Sequence, residues 1–132
     1  MRLSTLSALA TAAIMTGSAA FSETISTHIL DLARGVGGSN VPVVLAMKQA
    51  DGSWTELATA ETDENGRVKA FDGVEAEAAT YKLSFDMSGY GEQEAEPFFP
   101  EIDVVFQVID PSQHYHVPVV VSPFGYSTYR GN

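Results

Sequence analysis

Tyr81, Leu83, Phe85 and Met87 alternate with Lys82, Ser84 and Asp86. This two-residue period predicts a strand with one row against a core and the other toward water or a partner. Val41, Val43, Leu45 and Met47 form a second such row, Val104, Phe106 and Val108 a third, and Tyr115, Val117, Val119 and Val121 a fourth. Ile25 to Leu30 and Trp54 to Ala60 read as further strands. Between these rows lie residues suited to turns: Gly35 to Asn40, Ala50-Asp51-Gly52, Asn65-Gly66, Asp110-Pro111-Ser112 and Ser122-Pro123-Phe124-Gly125.

Seven or eight short strands at this spacing predict an all-β, two-sheet antiparallel sandwich. The exception is the stretch from Met87 to Pro97, where Ser88 to Gly91 precedes Glu92, Gln93, Glu94, Ala95 and Glu96, a composition able to hold one or two helical turns. Pro118 falls inside the row from His114 to Val121. A proline there removes a ladder donor, so an unpaired position or a bulge is expected at that point.

Residues 1–22 carry a different pattern. Arg2 is their only charge, a mostly apolar run extends from Leu6 to Met15, and Gly17, Ser18, Ala19 and Ala20 follow. That is the pattern of a secretory signal peptide, cleaved after Ala20 or after Ser22. Its apolar run is shorter than the roughly 20 residues a membrane-spanning helix needs. One domain over residues 23–132 remains, in the periplasm.

Charge and cysteine content narrow the chemistry. The 132 residues carry 17 acidic and 7 basic side chains, a formal charge of −10, and no cysteine. Seven scattered cations cannot build the basic patch a nucleic acid requires. Without cysteine there are no disulfides, thiolate metal sites or thiol nucleophiles, so the exported domain must hold by its core or by oligomerisation. The acids Asp63, Glu64, Asp72, Glu75, Glu77, Glu92, Glu94 and Glu96 read as a solvated surface.

The reactive inventory reduces to His28, His114, His116 and a few arginines, with no Gly-x-Ser-x-Gly elbow and no phosphate loop. His114 and His116 are two apart, so both leave the same face of a strand, opposite Tyr115, Val117 and Val119. His28 similarly opposes Ile25 and Ile29. Neutral imidazoles so placed suit metal ligation, general-base catalysis near neutral pH, or plain hydrogen bonding on a strand surface. Spacing alone does not choose among these. Arg67 follows the turn-forming Asn65-Gly66 and comes after Asp63 and Glu64, so it is either a solvated ion-pair partner or a planar fork for a carbonyl or anionic ring.

Three blocks resemble the 5-hydroxyisourate hydrolases, or transthyretin-like proteins. The first is Ser26-Thr27-His28-Ile29-Leu30-Asp31 with Ala33-Arg34-Gly35 and Val41-Pro42-Val43, and the second is Asn65-Gly66-Arg67. The third runs from His114-Tyr115-His116-Val117-Pro118 through Ser122-Pro123-Phe124-Gly125-Tyr126-Ser127-Thr128-Tyr129-Arg130-Gly131, and Phe98-Phe99-Pro100-Glu101 is similar too. The resemblance implies an eight-stranded transthyretin-like sandwich with one short helix, assembled as a homotetramer with active sites in the channel between dimers. It implies His28, Arg67 and His116 as catalytic residues, with His28, Arg67, Tyr129 and Arg130 binding substrate and Gly131 beside them. No metal or other cofactor is implied.

The reaction implied is opening of the ring amide of 5-hydroxyisourate to 2-oxo-4-hydroxy-4-carboxy-5-ureidoimidazoline in urate degradation. One position departs from the family pattern: Asn132 stands where the family has Ser. An amide does not replace a hydroxyl in a proton relay, so Asn132 is expected to modulate activity. Two rivals follow from the same residues. One is a transthyretin-type carrier that binds a small aromatic ligand in the tetramer channel without turnover. The other is a metal-dependent hydrolase using His28, His114 and His116.

Overall fold

The computed structural model describes residues 24–91 and 97–132. Among these residues there are nine strands: β1 (Ile25–Asp31), β2 (Val36–Gly37), β3 (Pro42–Lys48), β4 (Trp54–Glu61), β5 (Arg67–Val68), β6 (Ala79–Asp86), β7 (Glu101–Val108), β8 (Tyr115–Ser122) and β9 (Gly125–Thr128). They form two sheets. One is four-stranded in the order β4-β3-β6-β7, and the other runs β2-β1-β8-β9 with β5 also paired to β1.

The alternation read from the sequence is the alternation of burial. Tyr81, Leu83 and Phe85 of β6 are fully buried, and they meet Val43 and Leu45 of β3, Ile102, Val104 and Val108 of β7, and Ile29, Val117, Val119 and Val121 from the other sheet. Lys82 and Ser84 are half-buried and Asp86 is exposed. The row in β3 is less regular, because its pairing with β4 shifts between Leu45 and Ala46. After that irregularity Ala46 is buried and Met47 only half so, a local turn of the strand typical of a β-bulge.

The sandwich is not wholly antiparallel. β1 and β8 run parallel over seven residue pairs, from Ile25↔Tyr115 to Asp31↔Val121. The intervening chain builds the whole four-stranded sheet before returning, a crossover long enough to bring β8 back beside β1 in the same direction. Alternation within single strands carries no information about that direction.

No helix occurs among the described residues. Met87 to Gly91 contains a turn in which the Tyr90 N–H donates to the Met87 carbonyl at 3.1 Å. The expected helical turns over residues 92–96 lie outside the described residues, as does the expected signal peptide.

Pro118 behaves as its missing N–H requires. The ladder between β8 and β9 runs from Ser122↔Gly125 to Val119↔Thr128, and in the same register it resumes only at an isolated bridge between His116 and Gly131. At the gap, the Pro118 carbonyl accepts a long 3.4 Å bond from the Tyr129 N–H and a 2.8 Å bond from the Thr128 hydroxyl. The reciprocal donor does not exist.

Truncating the centre of this core tests its packing. Leu83→Ala is expected to lower unfolding stability by about 2–5 kcal/mol, measured by chemical denaturation.

Candidate active site

The outer face of the β1–β8 pair is where the chemistry gathers. Ile25, Thr27, Ile29 and Asp31 form the buried row of β1, which leaves Ser26 and His28 on the other row. The parallel register sets Ser26 beside His116 and His28 beside Pro118. β5 then pairs antiparallel to β1 and sets Arg67 beside His28. Two strand pairings thus bring His28, Arg67 and His116, from three distant parts of the chain, onto one face.

The Asn65-Gly66 turn fixes the arginine end of this group. Gly66 has φ 79°, and a Cβ there would lie 2.5 Å from the Ile29 carbonyl oxygen and 2.6 Å from the Gly38 nitrogen. Only glycine satisfies both the left-handed backbone and the close approach. The Asp63 carboxylate accepts from the N–H groups of Asn65 and Arg67, each at 2.9 Å. These bonds, that to Arg67 foremost, hold its pKa below the usual aspartate value. Arg67 is therefore placed by its own backbone on the Asp63 side chain.

Each imidazole has a defined anchor. His28 Nε2 lies 2.8 Å from the Asn65 carbonyl oxygen. A carbonyl only accepts, so Nε2 carries the proton and the neutral ring keeps its lone pair on Nδ1. His116 Nδ1 lies 2.7 Å from the Ser26 hydroxyl, which is also 2.9 Å from His114 Nε2. Desolvation is the largest influence on both His28 and His116 and lowers both pKa values. Arg67 lowers both further, and His116 is also lowered by His114 and His28. Both rings are consequently neutral at pH 7, the state in which an imidazole accepts a proton.

An open depression of about 340 Å³ lies on this face, lined by Ser26, Arg67, Lys69, His114, His116 and Asn132 among others. His28 is not among its lining residues, and neither are Tyr129 and Arg130. The latter two border a neighbouring cleft of about 470 Å³ together with β7 residues and His116. The Arg130 guanidinium sits 4.8 Å from the centre of the Tyr115 ring and donates to Gln113 at 3.3 Å. His116 borders both spaces. Among the described residues no group of three His, Cys, Asp or Glu side chains is arranged to hold a metal ion.

The terminal segment is docked through Gly131, whose N–H donates to the His116 carbonyl at 2.8 Å. A Cβ there would fall 2.6 Å from His116 Cδ2 and 3.2 Å from Pro118 Cγ. Ser26 and Lys69 also line the depression, although neither was expected there from the sequence. Alternation held the signal for both, since Ser26 is two residues from His28 and Lys69 two from Arg67.

The chain belongs to the HIUase/transthyretin family, whose model matches residues 25–131. It is similar to the 5-hydroxyisourate hydrolase of Salmonella typhi, at 44% identity over 116 residues covering 86% of this chain and 85% of that protein. The 5-hydroxyisourate hydrolase of Salmonella typhimurium is 42% identical over 132 residues, covering 98% and 96%. Among solved structures it is similar to Klebsiella pneumoniae 5-hydroxyisourate hydrolase (30% identity, TM-score 0.70, 83% of this chain and 99% of that one). It is also similar to transthyretin from Sparus aurata (30% identity, TM-score 0.75, 83% and 97%).

Gly131→Ala is expected to push the terminal segment off the His116 ring, so that the residue 131 amide exchanges with solvent at least about tenfold faster, read by hydrogen exchange.

Proposed function

We infer that this chain is a 5-hydroxyisourate hydrolase, which opens a ring amide of its substrate to give 2-oxo-4-hydroxy-4-carboxy-5-ureidoimidazoline. The observation that carries the reading is the convergence of His28, Arg67 and His116 on one face through the β1–β5 and β1–β8 registers. Curated hydrolases at 42–44% identity over most of the chain support it.

Amide hydrolysis needs a water made nucleophilic, charge stabilisation on the attacked carbonyl, and a proton for the leaving nitrogen. The pair of neutral imidazoles activates the water, His116 moving its proton and the Nδ1 lone pair of His28 orienting it, and the Arg67 guanidinium holds and polarises the oxygen-rich ring. Its planar fork suits vicinal carbonyl oxygens. Asn132, at the rim of the same depression, tunes the rate without abolishing it.

Tyr129 and Arg130 contribute to substrate contact and to the subunit interface in a homotetramer. β7 and β9 each end a sheet, and such unpaired strand edges invite pairing with another copy. Exposed Val105, Phe124, Tyr126 and Tyr129 on or beside those edges give that pairing apolar area to bury. Assembly would bring Tyr129 and Arg130, which border the adjoining cleft, toward a neighbouring site. Residues 1–22 act as a signal peptide and deliver the domain over residues 23–132 to the periplasm.

The rival is a carrier, favoured by the likeness to sea bream transthyretin solved with thyroxine (31% identity, TM-score 0.74). His116→Ala separates the two. Loss of a positioned general base costs roughly 100- to 10,000-fold, so this variant is expected to reduce the absorbance decay of freshly generated 5-hydroxyisourate nearly to the spontaneous rate. A carrier would show no decay to lose.

The histidine environments also fix the pH dependence. Because burial and Arg67 lower both pKa values, kcat/KM is expected to stay level from pH 8 down to about 6.5, the ordinary histidine value. It then falls in more acid solution as the bases protonate. A fall centred above that value would contradict the assignment.

A further inference from the structure

We propose that Ser26 is a positioning residue that joins His116 and His114 into one proton relay, with His116 the inner member and His114 the outer; the proposal rests on the hydrolase reading of the site. Ser26 is 6% exposed although it stands on the outer row of β1. Its hydroxyl lies 2.7 Å from His116 Nδ1 and 2.9 Å from His114 Nε2. The two rings are near parallel, at 21° with centroids 6.3 Å apart. His114 is exposed and His116 half-buried.

A hydroxyl has one proton to donate. Between two neutral imidazoles it can donate to one ring and accept from the other, never donate to both. The tautomers of His114 and His116 are therefore coupled. When Ser26 donates to His114 Nε2 it accepts from His116 Nδ1–H, and the lone pair of His116 is then on Nε2. That is the basic form. In the opposite arrangement His116 carries its proton on Nε2 and is an acid.

The coupling gives the reaction a reversible place for its charge. As His116 Nε2 takes a proton from the attacking water, the water oxygen bonds to the amide carbon. The Nδ1 proton passes to Ser26 Oγ, and the Ser26 proton passes to His114 Nε2. The positive charge then rests on the exposed ring rather than on the half-buried one beside Arg67. When the His116 Nε2 proton moves to the leaving nitrogen and the C–N bond breaks, the shift reverses. Both rings return to their starting states, and the second proton of the water leaves from the new carboxylic acid.

The test combines ring-nitrogen NMR with kinetics on the same proteins. In ¹⁵N-labelled protein, His116 is expected as a single tautomer protonated at Nδ1, and in Ser26→Ala as a mixture of both. Ser26→Ala should lower kcat by about tenfold or more, the scale of one lost buried hydrogen bond, with KM changed less than about twofold. Ser26→Thr, which keeps the hydroxyl, should restore kcat to within about threefold on the same scale. The acid limb of kcat should move in Ser26→Ala and in His114→Ala but not in Ser26→Thr. The other groups facing His116 (His28 on β1, Arg67 and Lys69 on and after β5, Arg130 after β9) are unchanged throughout.

An unaltered tautomer and unaltered kcat in Ser26→Ala overturn the proposal. So does full activity with an unmoved pH profile in His114→Ala, which also decides the matter if Ser26→Ala fails to fold. Wild-type protein without turnover would instead sink the hydrolase reading, while the NMR would still decide whether Ser26 locks the two rings.

Discussion

The parallel pairing of β1 with β8 is the constraint on which both core and site depend. In one register it seals Ile29 against Val119 inside the sandwich and sets Ser26 beside His116 outside it. A slip of one residue would exchange the faces, placing imidazoles in the core and valines in the depression. Thr27 reinforces the register from within, its buried hydroxyl donating to the Val117 carbonyl at 2.6 Å. The packing that stabilises the fold is thus the same packing that aligns the site.

Around that pair the backbone supplies most of the positioning. Asp63 and Gly66 shape the turn that delivers Arg67, the Asn65 carbonyl sets the tautomer of His28, and Gly131 allows the terminal segment to lie against His116. The residues proposed for catalysis are therefore placed by turns and ladders, with the Asp63 carboxylate and the Ser26 hydroxyl adding side-chain bonds. Burial and a neighbouring guanidinium then keep both imidazoles neutral, so electrostatics and geometry prepare the same proton-accepting state.

Much of this was legible in the sequence. The rows at Tyr81, Leu83 and Phe85 and at Tyr115, Val117 and Val119 gave inward faces directly, because alternation is a local property of a strand. The gap at Pro118 followed from a missing donor. The parallel direction of β8, the two-residue strands β2 and β5 and the shift at Leu45/Ala46 were not legible, since each is decided by what the strand meets across the sheet. Likewise spacing made His28, Arg67 and His116 legible as residues, and only the family resemblance implied that they share a site. Their meeting depends on pairings between segments up to 90 positions apart. Ser26 escaped notice because a serine in a strand looks like any polar surface position until its register partner is known. Tyr129 and Arg130 border the adjoining cleft in the single chain, a separation no spacing argument reveals.

The central claim, turnover at this face, is tested most directly by the rate of 5-hydroxyisourate loss, generated in place by urate oxidase, as the concentration of this protein is varied. The account predicts a rate above the spontaneous background that rises in proportion to protein and saturates with substrate. A rate equal to the background at every protein concentration would contradict it.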